Sequence, residues 1–456
     1  MLLKKLIAGL SAAVLAGLAF GQSAQAQLEG TITTASDRNF RVALPDFDST
    51  SPEAAELADQ ISLIIRNDLR STGLITLIPP EAFLQNELDL MVQPRFADWR
   101  AIQAESLGIG RVDFLPDGRM NVQFRLWDTA NEQIRMLDGR PGRQYATTPE
   151  NLRRIAHVIA DDIYEALTGD TGYFDTRIVF IAESGPKTAR VKRLAIMDQD
   201  GANAEFLTSG RHTVLTPRFS PTDQTITYMT YENGRPQVYL FDISTGRSES
   251  LGRFEGMTYA PRFSTDGNAV IMSQATNGNS DIYIMDLNRQ TRTRLTDHPA
   301  IDTSPSMSPD GDEIVFTSDR GGSPQLYVMN RDGSARICPN GNRDVACRIT
   351  GFSGGGYYST PVWSPRGDLI AFTKQANGQF YIGVVEPDGE GERLLTQAYL
   401  DEGPAWSPNG RVIIFFRETA PGAEPAIFTI DLTGRNLRRV NTPGSASDPA
   451  WSPVLP

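Results

Sequence analysis

The sequence has 456 residues, with 43 lysines and arginines against 55 aspartates and glutamates, and its formal net charge is -12 at pH 7. This length allows two or three domains with sizeable cores, and the composition is that of an ordinary globular protein. The excess negative charge would repel phosphate backbones and anionic headgroups, which argues against nucleic acid as a ligand.

The first 26 residues are typical of a secretory signal peptide. Lys4 and Lys5 precede an apolar run over residues 6–20, and residues 24–26 read Ala-Gln-Ala, an A-x-A cleavage pattern. The apolar run is too short to span a bilayer comfortably, and no second candidate follows it. We therefore expect an exported, soluble mature protein that starts at Gln27 and does not insert into a membrane.

Residues 27–37 form a short, polar, β-prone segment that we predict to be an N-terminal tail. Residues 38–170 alternate between strand and helix patterns, which predicts a small α/β domain. Strands are expected at residues 41–47, 74–78, 109–115, 119–128 and 132–145. Helices are expected from Pro52, after the cap Ser51, to Gly73, over residues 96–107, and from Pro149 to Gly169.

A phrase of proline, aromatic residue, Ser-Pro and turn glycine recurs six times after residue 170, as in TPVWSPRG from Thr360. Its spacings are 44, 44, 56, 43 and 45 residues, and the long interval contains the only cysteines. The six anchor prolines are Pro217, Pro261, Pro305, Pro361, Pro404 and Pro449. A repeat of this length is typical of propellers and solenoids.

Each copy predicts four short strands, with the anchor proline starting the innermost one. In the third copy the other three strands are expected at residues 313–318, 325–333 and 335–339. The sixth copy has room only for an innermost strand, whereas residues 176–208 supply three strands without an anchor. Pairing the two ends completes one blade, so residues 171–456 are predicted to form a closed six-bladed β-propeller, a ring without free sheet edges.

Candidate catalytic and metal-binding groups are sparse. The three histidines, His157, His212 and His298, are scattered, and we expect none to be catalytic. Residues 351–355 (GFSGG) fit the G-x-S-x-G pattern but lack the strand and helix that a nucleophile elbow requires. Residues 198–203 (DQDGAN) resemble the start of a calcium loop, yet a hairpin turn is the favoured interpretation. We predict no catalytic residue, metal or cofactor.

Two further residue sets have structural interpretations. Trp363, Trp406 and Trp451 share one repeat position, which favours a place in the blade core over an aromatic platform for a ligand. Cys338 and Cys347 lie nine positions apart, and in an oxidising compartment a local disulfide is the favoured interpretation. Metal binding and catalysis are weaker alternatives, because no histidine and no activating group is near in the sequence.

The residues just before the anchor prolines are the candidate binding positions. We expect them to lie where the chain crosses between blades, and to converge on one mouth of the channel as a polar rim. Plain turn residues are the alternative. The rim comprises Leu215, Thr216, Tyr259, Ala260, Asp302, Thr303, Ser304, Tyr358, Ser359, Thr360, Asp401, Glu402, Gly403, Ser447 and Asp448.

The signal peptide, the helix and linker AHVIADDIYEALTGDTGYFDTRIVFIAE at residues 156–183 and the six repeats together resemble the TolB family, periplasmic proteins of the Tol-Pal system of Gram-negative bacteria. The resemblance implies a non-enzymatic, monomeric scaffold in the periplasm. Its expected partners are the peptidoglycan-associated lipoprotein Pal at the propeller mouth and TolA at the tail. The tail residues implied are Gln27, Leu28, Glu29, Gly30, Thr31, Ile32 and Thr33.

The resemblance also implies roles in outer-membrane integrity, cell division and bacteriocin import. Two alternatives remain open at this point. One is a secreted hydrolase of the prolyl-oligopeptidase type, whose propeller gates an active site, and the other is a generic propeller that binds a peptide or a glycan.

Overall fold

The computed structural model describes residues 39–454, apart from residues 86–87, 91, 233, 253 and 352–355. The predicted signal peptide and the whole of the predicted tail, residues 27–37, fall outside this range. The described residues belong to one compact unit, in which an α/β region precedes the propeller.

The α/β region contains a seven-stranded mixed sheet. Its order is β3-β1-β4-β5-β6, with β2 also paired to β4 and β7 to β5. The strands are β1 (Phe40–Ala43), β2 (Asp48–Ser49), β3 (Ile75–Leu77), β4 (Ser106–Phe114), β5 (Met120–Asp128), β6 (Gln133–Ile134) and β7 (Arg143–Thr147). The helices are α1 (Pro52–Ser71), α2 (Phe96–Ala101) and α3 (Leu152–Thr168).

Local sequence explains the helix ends. The hydroxyl of Ser51 accepts a hydrogen bond from the N–H of Ala54, and Pro52 occupies the first turn of α1. Gly169 ends α3 in the left-handed conformation that favours glycine. Helices α1 and α3 pack together on one face of the sheet, and their apolar faces join the largest core cluster.

Three predictions for this region were wrong in extent. The strand expected over residues 41–47 is only Phe40–Ala43. The helix expected over residues 96–107 is only Phe96–Ala101, because Ser106–Phe114 extends into its last turn as a strand. The strand expected over residues 132–145 is divided into the two short strands Gln133–Ile134 and Arg143–Thr147, which pair with different parts of β5.

The propeller consists of six four-stranded sheets, as predicted. The closing blade, blade 6, begins with β8 (Arg177–Ser184), β9 (Val191–Asp198) and β10 (Glu205–Phe206). Blade 1 is β11 (Val214–Phe219), β12 (Thr225–Thr230), β13 (Gln237–Asp242) and β14 (Arg247–Ser250). Blade 2 is β15 (Met257–Phe263), β16 (Ala269–Thr276), β17 (Asn279–Asp286) and β18 (Thr291–Arg294).

Blade 3 is β19 (Asp302–Met307), β20 (Glu313–Ser318), β21 (Gln325–Asn330) and β24 (Ala346–Arg348), with the hairpin β22 (Arg336–Ile337) and β23 (Arg343–Asp344) inserted. Blade 4 is β25 (Tyr357–Trp363), β26 (Ile370–Ala376), β27 (Gln379–Val385) and β28 (Arg393–Leu394). Blade 5 is β29 (Leu400–Trp406), β30 (Val412–Glu418), β31 (Ala426–Asp431) and β32 (Arg438–Arg439). The last strand, β33 (Ser445–Trp451), pairs with β8 and completes blade 6.

Blade 3 corrects the prediction for its outermost strand. The expected strand at residues 335–339 instead forms one arm of the β22-β23 hairpin, and Ala346–Arg348 takes the outer position beside β21. Cys338 and Cys347 are joined by a disulfide bond, which ties this hairpin to the blade edge.

The α/β region packs against blades 5 and 6. The side-chain amides of Asn409 and Asn436 donate to the carbonyls of Thr171 and Ser71, at 2.9 Å and 2.7 Å respectively. The ring of Tyr173, in the linker, meets the indole of Trp451 edge-on at 5.8 Å. Hydrophobic residues of the linker, α1, α3 and the two blades therefore form one continuous core cluster.

Candidate partner-binding face of the propeller

The two ends of the central channel differ in sequence. The Ser-Pro turns and their equivalents, which follow the innermost strands, line one cavity together, so the six innermost strands run in the same direction. We call this the Ser-Pro end, and the opposite end, where the innermost strands begin, the strand-start end. The α/β region contacts the turns at residues 408–410 and 431–436, which lie on the Ser-Pro side.

The predicted rim lies within the innermost strands and not in the crossovers between blades. Strand β25, for example, begins at Tyr357, four residues before Pro361, so the prediction that the proline starts the strand was wrong. Every innermost strand shifts register between the residue two before its anchor proline and the residue after it, as between Ser359 and Val362. Such a β-bulge re-aims side chains and increases the local twist.

The residue before each proline is held in the left-handed backbone conformation. The φ angles are Thr216 48°, Ala260 49°, Ser304 55°, Thr360 47°, Gly403 66° and Asp448 48°. Only one of the six is a glycine, and this conformation is costly for β-branched Thr216 and Thr360. The surrounding ring therefore imposes the geometry, and the bulges form a regular, rigid collar inside the channel.

Two of the predicted rim carboxylates are structural. Asp302 and Asp401 are fully buried. Asp302 accepts two hydrogen bonds from Arg320, at 2.9 Å and 3.0 Å, and Asp401 accepts two from Arg417, both at 2.6 Å. Charge-assisted paired bonds of this kind fix geometry, and neither carboxylate is available to an incoming protein.

Tyr358 and Ser447 are also buried. The hydroxyl of Tyr358 donates to the carboxylate of Glu392 at 2.9 Å, and the ammonium of Lys374 lies 4.7 Å from the centre of its ring. The hydroxyl of Ser447 donates to Glu183. These two residues support the rim from within the blades.

The other predicted rim positions retain partial solvent access, except Gly403, which is buried. Tyr259 shares a 2.6 Å hydrogen bond with the hydroxyl of Ser280, and Thr360 bonds to Thr373 at 2.9 Å. The partly accessible positions are Leu215, Thr216, Tyr259, Ala260, Thr303, Ser304, Ser359, Thr360, Glu402 and Asp448.

The rim is acidic on the side of blades 5 and 6. Burial and the neighbouring charge of Asp448 raise the pKa of Glu402. The carboxylate of Asp448 also accepts a hydrogen bond from the backbone N–H of Thr216, at 3.4 Å. A partner group that donates hydrogen bonds or carries positive charge would match this arc of the rim.

Sequence reasoning missed a set of exposed apolar side chains around the same end. They are Tyr231 (41% exposed), Met257 (45%), Ile301 (48%), Tyr357 (54%) and Tyr399 (41%), one from each of blades 1 to 5. We call this set the apolar ring. Three of them stand four residues before an anchor proline, so extending the repeat alignment upstream would have found them.

A groove on this face lies between blades 2 and 3. It has a volume of about 520 Å³, and Met257, Tyr259 and Ile301 line it. It thus brings two members of the apolar ring together with one predicted rim residue. Tyrosine and methionine are among the residues that protein interfaces favour.

The remaining candidates do not assemble a reactive centre. His157 lies on α3 at the junction with the propeller, where its Nδ1 is 2.6 Å from a carboxylate oxygen of Asp68. Burial opposes protonation, but the hydrogen bond and charge of Asp68 outweigh it and raise the pKa of His157. His212 and His298 lie in loops, and residues 352–355 of the G-x-S-x-G segment lie outside the described residues.

Residues 198–203 form the turn between β9 and β10. Asp198, Asp200 and His157 place ligand atoms within 4.8 Å of one another. The guanidinium of Arg153 already contacts both carboxylates, at 3.0 Å in the case of Asp198. An internal cation therefore offsets part of the charge of these two carboxylates.

The three repeat tryptophans are buried in the blades. Trp363, Trp406 and Trp451 are 7%, 7% and 8% exposed. Their indole N–H groups donate within the fold, for instance from Trp406 to the carbonyl of Val362 at 2.9 Å. Within the described part of the chain, no helix is long and apolar enough to cross a membrane.

Comparisons with known proteins agree with this architecture. The family model described as the TolB amino-terminal domain matches residues 28–135, and the one described as the TolB beta propeller domain matches residues 164–455. TolB from Acinetobacter baumannii is 28% identical, with 91% of this chain and 97% of that chain covered and a TM-score of 0.77.

A TolB candidate from Agrobacterium tumefaciens is 20% identical, with 60% of this chain and 90% of that chain covered and a TM-score of 0.45. The propeller model alone matches more than half of the chain, and the amino-terminal model matches in the expected order before it. The chain therefore belongs to the TolB family, whose members are non-catalytic, protein-binding scaffolds of the Tol-Pal system.

Proposed function

We propose that this protein is a periplasmic scaffold that binds the lipoprotein Pal at the strand-start end of its propeller. The observation that carries the proposal is that the apolar ring and the partly accessible rim surround the same end of the channel. Monomeric proteins rarely expose large contiguous apolar patches, and those that do use them for recognition. A central rim of hydrogen-bonding groups would then orient the bound loop.

The rigidity of the collar supports this role. A surface held by closed sheets loses little conformational freedom when a partner binds, so more of the contact energy appears as affinity. A few large residues usually dominate the binding energy of an interface. Tyr231, Met257 and Tyr357 are exposed and large enough to act as such anchors. Asp302, Asp401, Tyr358 and Ser447 act indirectly, by holding the rim in place.

The N-terminal segment is the proposed site for TolA. It comprises residues 27–37, after a signal peptide at residues 1–26 and before an α/β domain at residues 38–170 and the propeller at residues 171–456. Binding of Pal and of TolA would be coupled if Pal prefers one state of the tail, since a ligand shifts a population by its differential affinity. The system would thereby support outer-membrane integrity and cell division, and admit bacteriocins.

Calorimetry with purified soluble Pal tests the propeller site. We expect Tyr357→Ala and Met257→Ala to weaken binding at least tenfold each, the range of interface anchors. Phe206→Ala is the matched control, because Phe206 is 59% exposed but lies on the outermost strand of blade 6. Wild-type affinity in both ring variants, or an equal loss in the control, would contradict the assignment.

Deleting residues 27–37 tests the tail. The shortened protein should lose TolA binding and bind Pal with a changed affinity, while its thermal midpoint stays the same. If both affinities were unchanged, the coupling would be wrong, and the propeller site would stand or fall on its own experiment.

A further inference from the structure

The Ser-Pro half of the channel contains a second cavity. The cavity there has a volume of about 420 Å³, and residues of all six blades line it. The position directly after each anchor proline contributes one residue to its wall. These six residues are Arg218, Arg262, Ser306, Val362, Ala405 and Ala450.

The wall is strongly asymmetric. Arg218 and Arg262 stand on the neighbouring blades 1 and 2, whereas the equivalent positions on blades 4, 5 and 6 are the apolar Val362, Ala405 and Ala450. Among the described residues, no aspartate or glutamate lines this cavity. Two guanidinium groups thus face a small apolar wall, in a protein whose overall charge is negative.

The charge of these arginines is poorly compensated. Arg218 donates to the backbone carbonyl of Pro217 at 2.6 Å, and Asp448 is the carboxylate that acts on it electrostatically. Within the described chain, the guanidinium of Arg262 makes no hydrogen bond and no ion pair. Burial lowers the pKa of Arg262 well below its usual value, and repulsion from Arg218 adds to this effect.

Two other arginines of the propeller, in contrast, have carboxylate partners inside the protein. Arg320 and Arg417 each make two bonds to a buried carboxylate, Asp302 and Asp401 respectively. The chain therefore supplies internal partners where arginines are structural. Arg262 has no such partner, and its side chain is only partly exposed to solvent. An anion in the cavity would therefore stabilise a charge that water solvates incompletely.

We propose that this cavity binds a small organic carboxylate, with its charged group between Arg218 and Arg262 and its apolar part against Val362, Ala405 and Ala450. The guanidinium fork matches a carboxylate in geometry and charge. The apolar wall favours an organic anion over a fully hydrated inorganic one. The site lies toward the other end of the channel from the proposed Pal face, and the proposal does not rest on Pal binding.

Thermal unfolding and calorimetry at constant ionic strength test the site with acetate, butyrate and inorganic phosphate as probes. Butyrate should raise the thermal midpoint most, because a ligand that binds only the folded state stabilises it, and its dissociation constant should be at least tenfold lower than that of acetate. Arg262→Gln should abolish the difference between the probes. Arg247→Gln is the matched control, since Arg247 is exposed on the outer strand of blade 1.

The thermal midpoints of the variants without ligand show whether each variant is folded. Removing an uncompensated charge should leave the thermal midpoint of Arg262→Gln without ligand equal to or above that of the wild type. Arg262→Lys keeps the charge but not the fork, so it should bind butyrate several-fold more weakly than the wild type. Equal responses of Arg262→Gln and Arg247→Gln, or no response of the wild type to butyrate, would overturn the proposal and indicate a cavity filled by water.

Discussion

Asp161 links the last helix of the α/β region to the linker that enters the propeller. Its carboxylate accepts hydrogen bonds from the backbone N–H groups of Phe174, at 2.7 Å, and Asp175, at 3.0 Å. Gly172 passes so close that a Cβ there would lie 2.2 Å from a carboxylate oxygen. Burial raises the pKa of Asp161 to about 7, although the two N–H donors act in the opposite direction.

The sign of the resulting pH dependence follows from linkage. Because the pKa is higher in the folded protein, the folded state binds more protons than the unfolded chain between about pH 4 and pH 7, and stability falls as the pH rises through this window. At about 1.4 kcal/mol per pKa unit, ionisation of Asp161 costs on the order of 4 kcal/mol over the whole window. Between pH 5 and pH 8 the expected loss is about 3 kcal/mol.

The variant Asp161→Asn removes this titration while keeping the shape of the side chain. Urea unfolding at pH 5, 6, 7 and 8 should show the free energy of the wild type falling relative to the variant by about 3 kcal/mol. Asp59→Asn, at an exposed position of α1, is the control and should leave the profile unchanged. A constant difference between the wild type and Asp161→Asn across this range would refute the reasoning.

Three further changes have definite expected outcomes. Arg417→Leu leaves the buried carboxylate of Asp401 without its arginine partner, so urea unfolding should show a free energy of unfolding about 3 to 5 kcal/mol lower. The loss should be smaller in the double variant in which Asp401 is also replaced by Leu. Thr216→Gly relieves a left-handed φ and removes a buried hydroxyl without a hydrogen-bond partner. The free energy of unfolding should therefore rise by about 1 kcal/mol, which would appear as a higher thermal midpoint. A lower midpoint would show that the side chain packs favourably. Replacing Cys338 and Cys347 by Ser should cost roughly 2 to 3 kcal/mol, by loop entropy, without changing Pal affinity.

The repeat was enough to predict the propeller and its closure. Each blade repeats one pattern of short strands, and the two ends of the propeller segment together supply the four strands of one blade. The position of the anchor proline was misjudged for a physical reason. Proline lacks an N–H, which suggests the start of a strand. Each anchor proline, however, occupies a bulge between shifted registers, as between Thr303 and Ser306. There the innermost strand has a neighbour on only one side, so the missing donor breaks no ladder bond.

The burial of two rim carboxylates could not be read from their immediate sequence. Asp302 and Asp401 occupy equivalent repeat positions, three residues before their anchor prolines. Arg417 stands on the next strand, β30, whereas Arg320 lies two residues beyond the end of β20. Antiparallel pairing places Asp401 directly opposite Arg417, and it places Asp302 opposite Ser318, two residues before Arg320. The recurrence of an arginine 18 and 16 residues after the aspartate was the available signal, and it becomes meaningful only once the strand register is known.

Charged side chains of opposite sign lie at different ends and on different blades of the channel. The two proposed sites would therefore offer different chemistry to a ligand. At the strand-start end, Glu402 and Asp448 make the arc of blades 5 and 6 acidic, while the apolar ring covers blades 1 to 5. At the Ser-Pro end, Arg218 and Arg262 make the arc of blades 1 and 2 basic. Only two residues separate a rim position such as Tyr259 from Arg262 along the strand, so neighbouring levels of one collar present different chemistry. A protein partner at the strand-start end and a small anion at the Ser-Pro end would contact different side chains of the same strands.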